Sequence, residues 1–246
     1  MAPRRNQPAT SLAFVAEPDV QETAQRAHGN WRRVAESLQT EIIFGRLYPR
    51  ERLVEDNLMS RFDSSRHAVR MAIDELVRQG LVVREANRGA SVRAFSGEEV
   101  EDLFEVQGVL ERHAIQRMPL PVSADVLERL NVLQTAHERA GTDMQALEIC
   151  RWNREFHDTL FAACGNAELA EAIRGYSLLT DPIRMRRIPD PGWRKQAVAD
   201  HRKMVQMLAK CDRAGLAMVC TQHIEPTKEY FLRTLASFPQ EPEITT

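Results

Sequence analysis

Residues 63–80 read DSSRHAVRMAIDELVRQG, and this stretch decides the fold. Asp63 or Ser64 suits a helix start, because either side chain accepts from the backbone N–H groups left unpaired there. Val69, Ile73, Leu76 and Val77 recur three and four residues apart, so they share one buried stripe. Gly80 stands where glycine commonly ends a helix. On the opposite side, Ser64, Ser65, Arg66 and Arg70 occupy the first turn and a half. Arg66 and Arg70 are four apart, which puts both guanidinium groups on one side. Small hydroxyls reach phosphates, and arginine bonds a guanine edge through two parallel hydrogen bonds. This face therefore suits the major groove of DNA.

The flanks extend the pattern. Trp31–Arg46 reads as a helix with Val34, Leu38, Ile42 and Ile43 on its apolar side, ended by Gly45 and Pro49. Glu55–Phe62 is a short helix with Leu58 and Met59 inward, and a tight turn joins it to the next. A long helix, a short helix and a turn before residues 64–79 make a helix-turn-helix. After Gly80, Leu81–Arg84 and Ala90–Arg93 have strand character, with an AsnArgGly turn signal at 87–89 between them. Such a hairpin is a wing, and Arg88 and Gly89 at its tip reach an adjacent minor groove or phosphate.

Composition sets bounds. A chain of 246 residues, 43% hydrophobic, buries a sizeable core in one or two domains. The net charge of −2 gives no overall signal for nucleic acid. Residues 31–95, however, hold twelve arginines and nine acids, and no lysine, whereas residues 96–246 hold eighteen bases and twenty-three acids. An all-arginine surplus suits bidentate contacts. Cys150, Cys164, Cys211 and Cys220 form no CxxC pair and read as reduced, buried thiols of a cytoplasmic protein. No apolar run is long enough for a bilayer span, so no membrane partner is expected. Residues 1–28, with Arg4 and Arg5, read as a flexible arm, and 238–246 as a flexible tail.

The segment from about Arg52 to Arg93 resembles the winged helix of the GntR family of bacterial transcription regulators. The matching pieces are RLVE at 52–55, SRHAVR at 65–70, QGLV at 79–82 and NRGASV at 87–92. The resemblance implies that Ser65 contacts a phosphate, that Arg66 and Arg70 contact bases or adjacent phosphates, and that Arg88 and Gly89 touch the minor groove. Two positions depart from the family. Asp56 and Asn57 stand where some members carry an arginine, and His67 stands where a threonine is frequent.

Beyond a linker at 95–97 the chain is nearly all helical pattern, at about 98–117, 123–140, 144–164, 167–187, 193–211 and 213–237. The expected fold is mainly α: a winged helix-turn-helix domain at 29–95 and an antiparallel all-helical bundle at 98–237. Bundles place ligand sites on inward side chains. His157, His201 and His223 each sit at or beside the stripe that their helix buries, and Asn153 shares a face with His157. Three imidazoles and one oxygen donor brought together in a bundle make a metal site.

This half resembles the effector domain of the FadR branch of the family, the FCD type, through NREFHDTL at 153–160, ACGNAEL at 163–169, DHRKM at 200–204 and QHIEPT at 222–227. The resemblance implies that Asn153, His157, His201 and His223 hold a divalent metal, zinc or nickel or a similar ion, at the bottom of an effector pocket. The family often has aspartate at the position of Asn153. It implies further that a small carboxylate fills the open metal positions, with Arg112, Arg174 and Arg184 as candidates to neutralise the acid. Gln107 stands where the family often has an arginine. Phe104, Trp152 and Tyr176 line the pocket or simply pack. The expected function is a homodimeric, ligand-responsive regulator of a two-fold symmetric operator, most simply a repressor released by its effector. The alternative is a metal-dependent hydrolase using the three-histidine site, although no HExxH, nucleophile elbow or phosphate loop is present.

Overall fold

The structure is a computed structural model that describes residues 20–86 and 88–236, with side chains between Asn30 and Leu235. Of the sequence expectations, residues 1–19 of the arm, Asn87 of the wing and the tail at 238–246 lie outside the described residues.

The first helix, α1, runs Val20–Ile43, so it begins well before Trp31 and takes in the last part of the expected arm. Helix α2 spans Glu55–Phe62 and α3 spans Arg66–Arg78. The cap of α3 is neither Asp63 nor Ser64. Ser65 holds it, accepting from the Ala68 N–H at 3.2 Å. Asp63 instead closes α2 in the left-handed conformation, and Ser64 is buried, its hydroxyl accepting from Asn30 at 2.9 Å. Val69, Ile73 and Leu76 are buried as expected, joined by Ala68 and Ala72, while Val77 is half-buried.

The wing strands are β2 (Val82–Glu85) and β3 (Gly89–Val92). They pair antiparallel, with Val82 opposite Val92 and Glu85 opposite Gly89. A strand not expected from the sequence, β1 (Arg52–Leu53), adds to the free edge of β3, giving the order β1-β3-β2. Leu53, Val82, Ala90 and Val92 turn inward onto Val34, Leu38, Val69 and Leu76. Each such side chain taken from water contributes about 1.5–3 kcal/mol, so this small domain rests on its apolar interior rather than on its surface ion pairs.

Six helices follow: α4 (Gly97–Arg117), α5 (Ala124–Thr142), α6 (Ala146–Ala162), α7 (Ala167–Met185), α8 (Pro191–Ala209) and α9 (Arg213–Ala236). Ser96 starts α4 with a reciprocal capping box to Glu99. Their interior contains Ile115, Leu130, Leu133, Phe156, Leu160, Phe161, Met204 and Leu208. Cys150, Cys164 and Cys220 are buried; Cys211 is exposed, contrary to the sequence expectation.

The two halves pack on each other through α7. Leu178 and Leu179 of α7 lie against the winged-helix core, and Ile43 of α1 joins a cluster with Ile149, Met185 and Trp193. Gly80, just past α3, has φ +75°, and a Cβ there would come within 3.0 Å of the Leu179 Cδ2. Glycine thus meets two needs at once, a left-handed turn and a close approach of the bundle.

Candidate DNA-binding face and candidate metal centre

Helix α3 presents Ser65, Arg66 and Arg70 to solvent. Ser65 uses its oxygen lone pair on the cap, which leaves its own hydrogen to donate outward. Arg66 Nη2 donates to Asp56 Oδ1 at 2.7 Å, and Arg70 Nε donates to both carboxylate oxygens of Glu55 at 3.0 and 2.9 Å. Both arginines remain more than half exposed. Pairs this exposed are worth roughly 0–1 kcal/mol, so phosphates or base edges can displace the carboxylates. Arg88 is exposed on the wing, 3.5 Å from Glu85, and Gly89 adopts φ +82°, which only glycine takes without strain. Arg52 escaped the sequence reading as a site residue. It extends from β1 and donates to the Arg88 carbonyl at 2.5 Å, so it stands beside the wing tip. Its signal was its place in RLVE, directly before α2.

In the bundle, α6, α8 and α9 bring His157, His201 and His223 together, with ligand atoms all within 4.8 Å of one another. The Nε2 atoms of His157 and His223 are 3.3 Å apart, and those of His201 and His157 are also 3.3 Å apart. That is long for a hydrogen bond, whose usual range is roughly 2.7–3.2 Å. For these two of the three pairs it matches the edge of a tetrahedral ion, whose ligands at about 2.0–2.1 Å stand about 3.3 Å from each other. Burial pushes His157 and His201 well below the usual imidazole range, and His223 is lowered by burial as well, so the rings are neutral ligands at neutral pH. Asp200 lies 3.4 Å from His223 Nδ1, which turns the Nε2 lone pair of that ring toward the cluster. Burial alone would raise Asp200, but hydrogen bonds from His223 and Gln196 hold it below its ordinary value.

Asn153 sits one turn before His157, buried, and its Nδ2 has no hydrogen-bond partner. An amide with one orphaned end in a buried site fits a group that uses the amide as a ligand, since the oxygen and nitrogen ends are interchangeable by a flip. The residues present therefore fit a divalent metal. Sequence reasoning missed His137 on α5. It is buried, its ring centre lies 4.7 Å from that of His201, and its Nδ1 is also orphaned. Burial and then His223 lower it to about 4. Its spacing after Leu130 and Leu133 was a readable signal.

Of the three candidate arginines, the structure brings Arg184 to this site. It is buried, donates to Asp181 at 2.9 Å, and its charge helps depress all three histidines. Asp181 also accepts from Arg154 at 2.5 Å. Arg112 is exposed on α4, and Arg174 is held by Asp158 and Glu171 at 3.1 and 2.7 Å. Gln107 is a buried strut. It donates to Glu111 at 2.7 Å and accepts from Thr180 at 3.2 Å. Burial pushes the Glu111 carboxyl up to about 7, against the pull of Gln107 and Arg184. Phe104 and Trp152 pack into apolar clusters.

A winged helix bearing exposed arginines, packed on a helical bundle, defines a DNA-binding transcription regulator. The chain belongs to the gntR family of bacterial regulatory proteins: residues 30–92 match that family and residues 102–226 match the FCD domain. It is 33% identical over 137 residues to the uncharacterized HTH-type transcriptional regulator BphR of Paraburkholderia xenovorans (strain LB400), a match covering 53% of this chain and 56% of that protein. The chain thus spans a little over half the length of BphR. It is 25% identical over 177 residues to the Nta operon transcriptional regulator of Aminobacter aminovorans, covering 72% and 82%. The fold is similar to that of E. coli McbR/YncC, with TM-score 0.72, 17% identity and coverage of 83% and 98%. It is also similar to a GntR regulator from Rhodococcus sp. RHA1, with TM-score 0.71, 20% identity and coverage of 86% and 100%. These relationships make the chain a regulator and not an enzyme, and the hydrolytic alternative has no support. No helix of the described residues is long and apolar enough to cross a membrane.

Proposed function

We propose that the chain is a homodimeric, FadR-type regulator acting in the cytoplasm, a repressor that a small carboxylate releases from its operator. In this reading Ser65, Arg66, Arg70, Arg88 and Gly89 contact DNA. Asn153, His157, His201 and His223 hold a divalent ion, most naturally zinc or nickel given three neutral imidazoles. Such an ion supplies a Lewis-acidic position for a carboxylate oxygen, and Arg184 balances the effector's charge. Two winged domains are needed because one recognition helix reads too few base pairs for genomic selectivity. Val106 and Val109, exposed on α4 three residues apart, offer an apolar face for the second copy.

The observation that carries the reading is the convergence of three imidazoles, with the His157 Nε2 3.3 Å from those of both His201 and His223, set against a helix that reaches the other domain. Helix α7 carries Asp181 and Arg184 beside the histidines and Leu178 and Leu179 against the winged helix. An effector that repositions Arg184 displaces the surface on which α3 ends, which is a route for coupling. The test is elemental analysis of protein purified without chelator, beside a variant with His157→Ala and His201→Ala. About one divalent ion per chain, lost in the variant, is expected; equal metal content in both refutes the site.

A further inference from the structure

A cavity of about 550 Å3 opens at the junction of the two halves, away from the histidines. Its walls come from Ile42 and Leu47 of the winged domain, Phe95 of the linker, Ile183 of α7, and Phe231 and Leu235 of α9. Three arginines, Arg50, Arg93 and Arg186, complete it, and among the described residues that line it there is no acid. Arg93 is already tied to Glu99 at 2.8 Å and lies over Phe95. Arg186 lies over the Phe231 ring at 5.6 Å, with its side chain exposed at the rim.

We propose that this junction is a second ligand site, which takes a small molecule with an apolar body and one anionic head group. The volume falls within the roughly 300–1,000 Å3 of small-molecule sites, and such sites favour domain interfaces. The apolar walls bury the body of the ligand. The guanidinium of Arg186 selects an anion and pairs with a carboxylate in two-pronged geometry. A ligand here touches both halves directly: Ile42 and Leu47 precede β1, while Ile183 follows Asp181 by two residues on α7. It changes the angle between DNA-binding and sensor domains from the hinge itself. The site does not depend on whether the histidines hold metal.

The test uses the full-length protein with isoleucine δ-methyl labels and octanoate as probe, with octan-1-ol as the uncharged control. Saturable shifts of Ile42 and Ile183, with Ile115 and Ile173 of the bundle interior unmoved, are expected. Octan-1-ol should bind at least about tenfold more weakly, the factor that one charge-assisted hydrogen bond is worth. Arg186→Glu, at an exposed position that leaves the fold intact, should weaken octanoate by a similar factor. Removal of residues 237–246 should leave its affinity within twofold. The proposal is overturned by the absence of saturable shifts, by shifts confined to Ile115 and Ile173, or by equal binding of the alcohol. An affinity gain of tenfold or more on removing 237–246 also overturns it, because the chain's own terminal segment is then the occupant.

Discussion

Replacing Gly80 by alanine should destabilise the protein by about 2–3 kcal/mol, in two separable parts. Gly80 holds φ +75°, a region in which a Cβ costs about 1–2 kcal/mol. The added Cβ also meets the Leu179 Cδ2 at 3.0 Å, well inside the roughly 3.5–4.0 Å optimum for carbon pairs. That terminal methyl has some freedom to swing, so the contact adds on the order of 1 kcal/mol. Gly45 supplies the control. It has φ +67°, and a Cβ there would meet nothing within 4 Å, so Gly45→Ala carries the backbone cost alone. Urea unfolding of the three proteins, followed by circular dichroism, measures both parts. With a slope of about 2–3 kcal/mol/M, the midpoint for Gly80→Ala should fall by on the order of 1 M and that for Gly45→Ala by about half as much. Adding Leu179→Ala should recover the contact part in a double-mutant cycle. Equal losses for the two glycine variants refute the contact between α7 and the end of α3. No loss in either refutes the conformational argument.

Arg66→Ala or Arg70→Ala should each cost about 1–3 kcal/mol in operator affinity by mobility shift, with an unfolding midpoint close to wild type because the ion pairs they break are exposed. If both variants bind as wild type does, α3 is not the reading head. Asp56→Asn should strengthen binding to non-specific duplex at low salt several-fold, since it removes a negative charge 2.7 Å from Arg66; unchanged binding places Asp56 away from the phosphates. Glu111→Gln tests the buried carboxyl. Its folded value of about 7 lies above the ordinary 4.5, so the native state takes up the proton and loses stability as pH rises between those values. The variant should match wild type below about pH 4.5 and exceed it at pH 8 by up to on the order of 3 kcal/mol. A pH-independent difference between the two refutes the assignment.

Much of the fold was legible because helices write themselves in a stripe. Val69, Ile73 and Leu76 declare α3, and the breaks at Pro119, Gly165 and Pro191 separate the bundle helices. Strand β1 left no pattern, since two residues contain only one inward side chain, Leu53. The cap of α3 was ambiguous because Asp63, Ser64 and Ser65 are all good caps, and only the turn geometry decides among them. At the candidate metal centre, His157, His201 and His223 were readable through their place beside apolar stripes and through family likeness. The inward place of His137 was readable from Leu130 and Leu133, but its nearness to the cluster was not, because its partner ring comes from α8, far away in sequence. Among the arginines, Arg112 lies on α4, while Arg174 and Arg184 share α7 but stand ten residues apart and so on different faces, of which only that of Arg184 is buried. Helix rotation is set by packing, and the sequence expresses it faintly where both faces of α7 are covered.

On the proposal that Arg66 and Arg70 read DNA, the exposed carboxylates paired with them shape how the protein searches a chromosome. Each guanidinium already has a partner, so a random stretch of duplex offers it little beyond an exchange of one anion for another. Residence on such a stretch is therefore brief. Only a sequence that presents a guanine edge in the right place offers the arginine something a carboxylate does not, and there the protein stops.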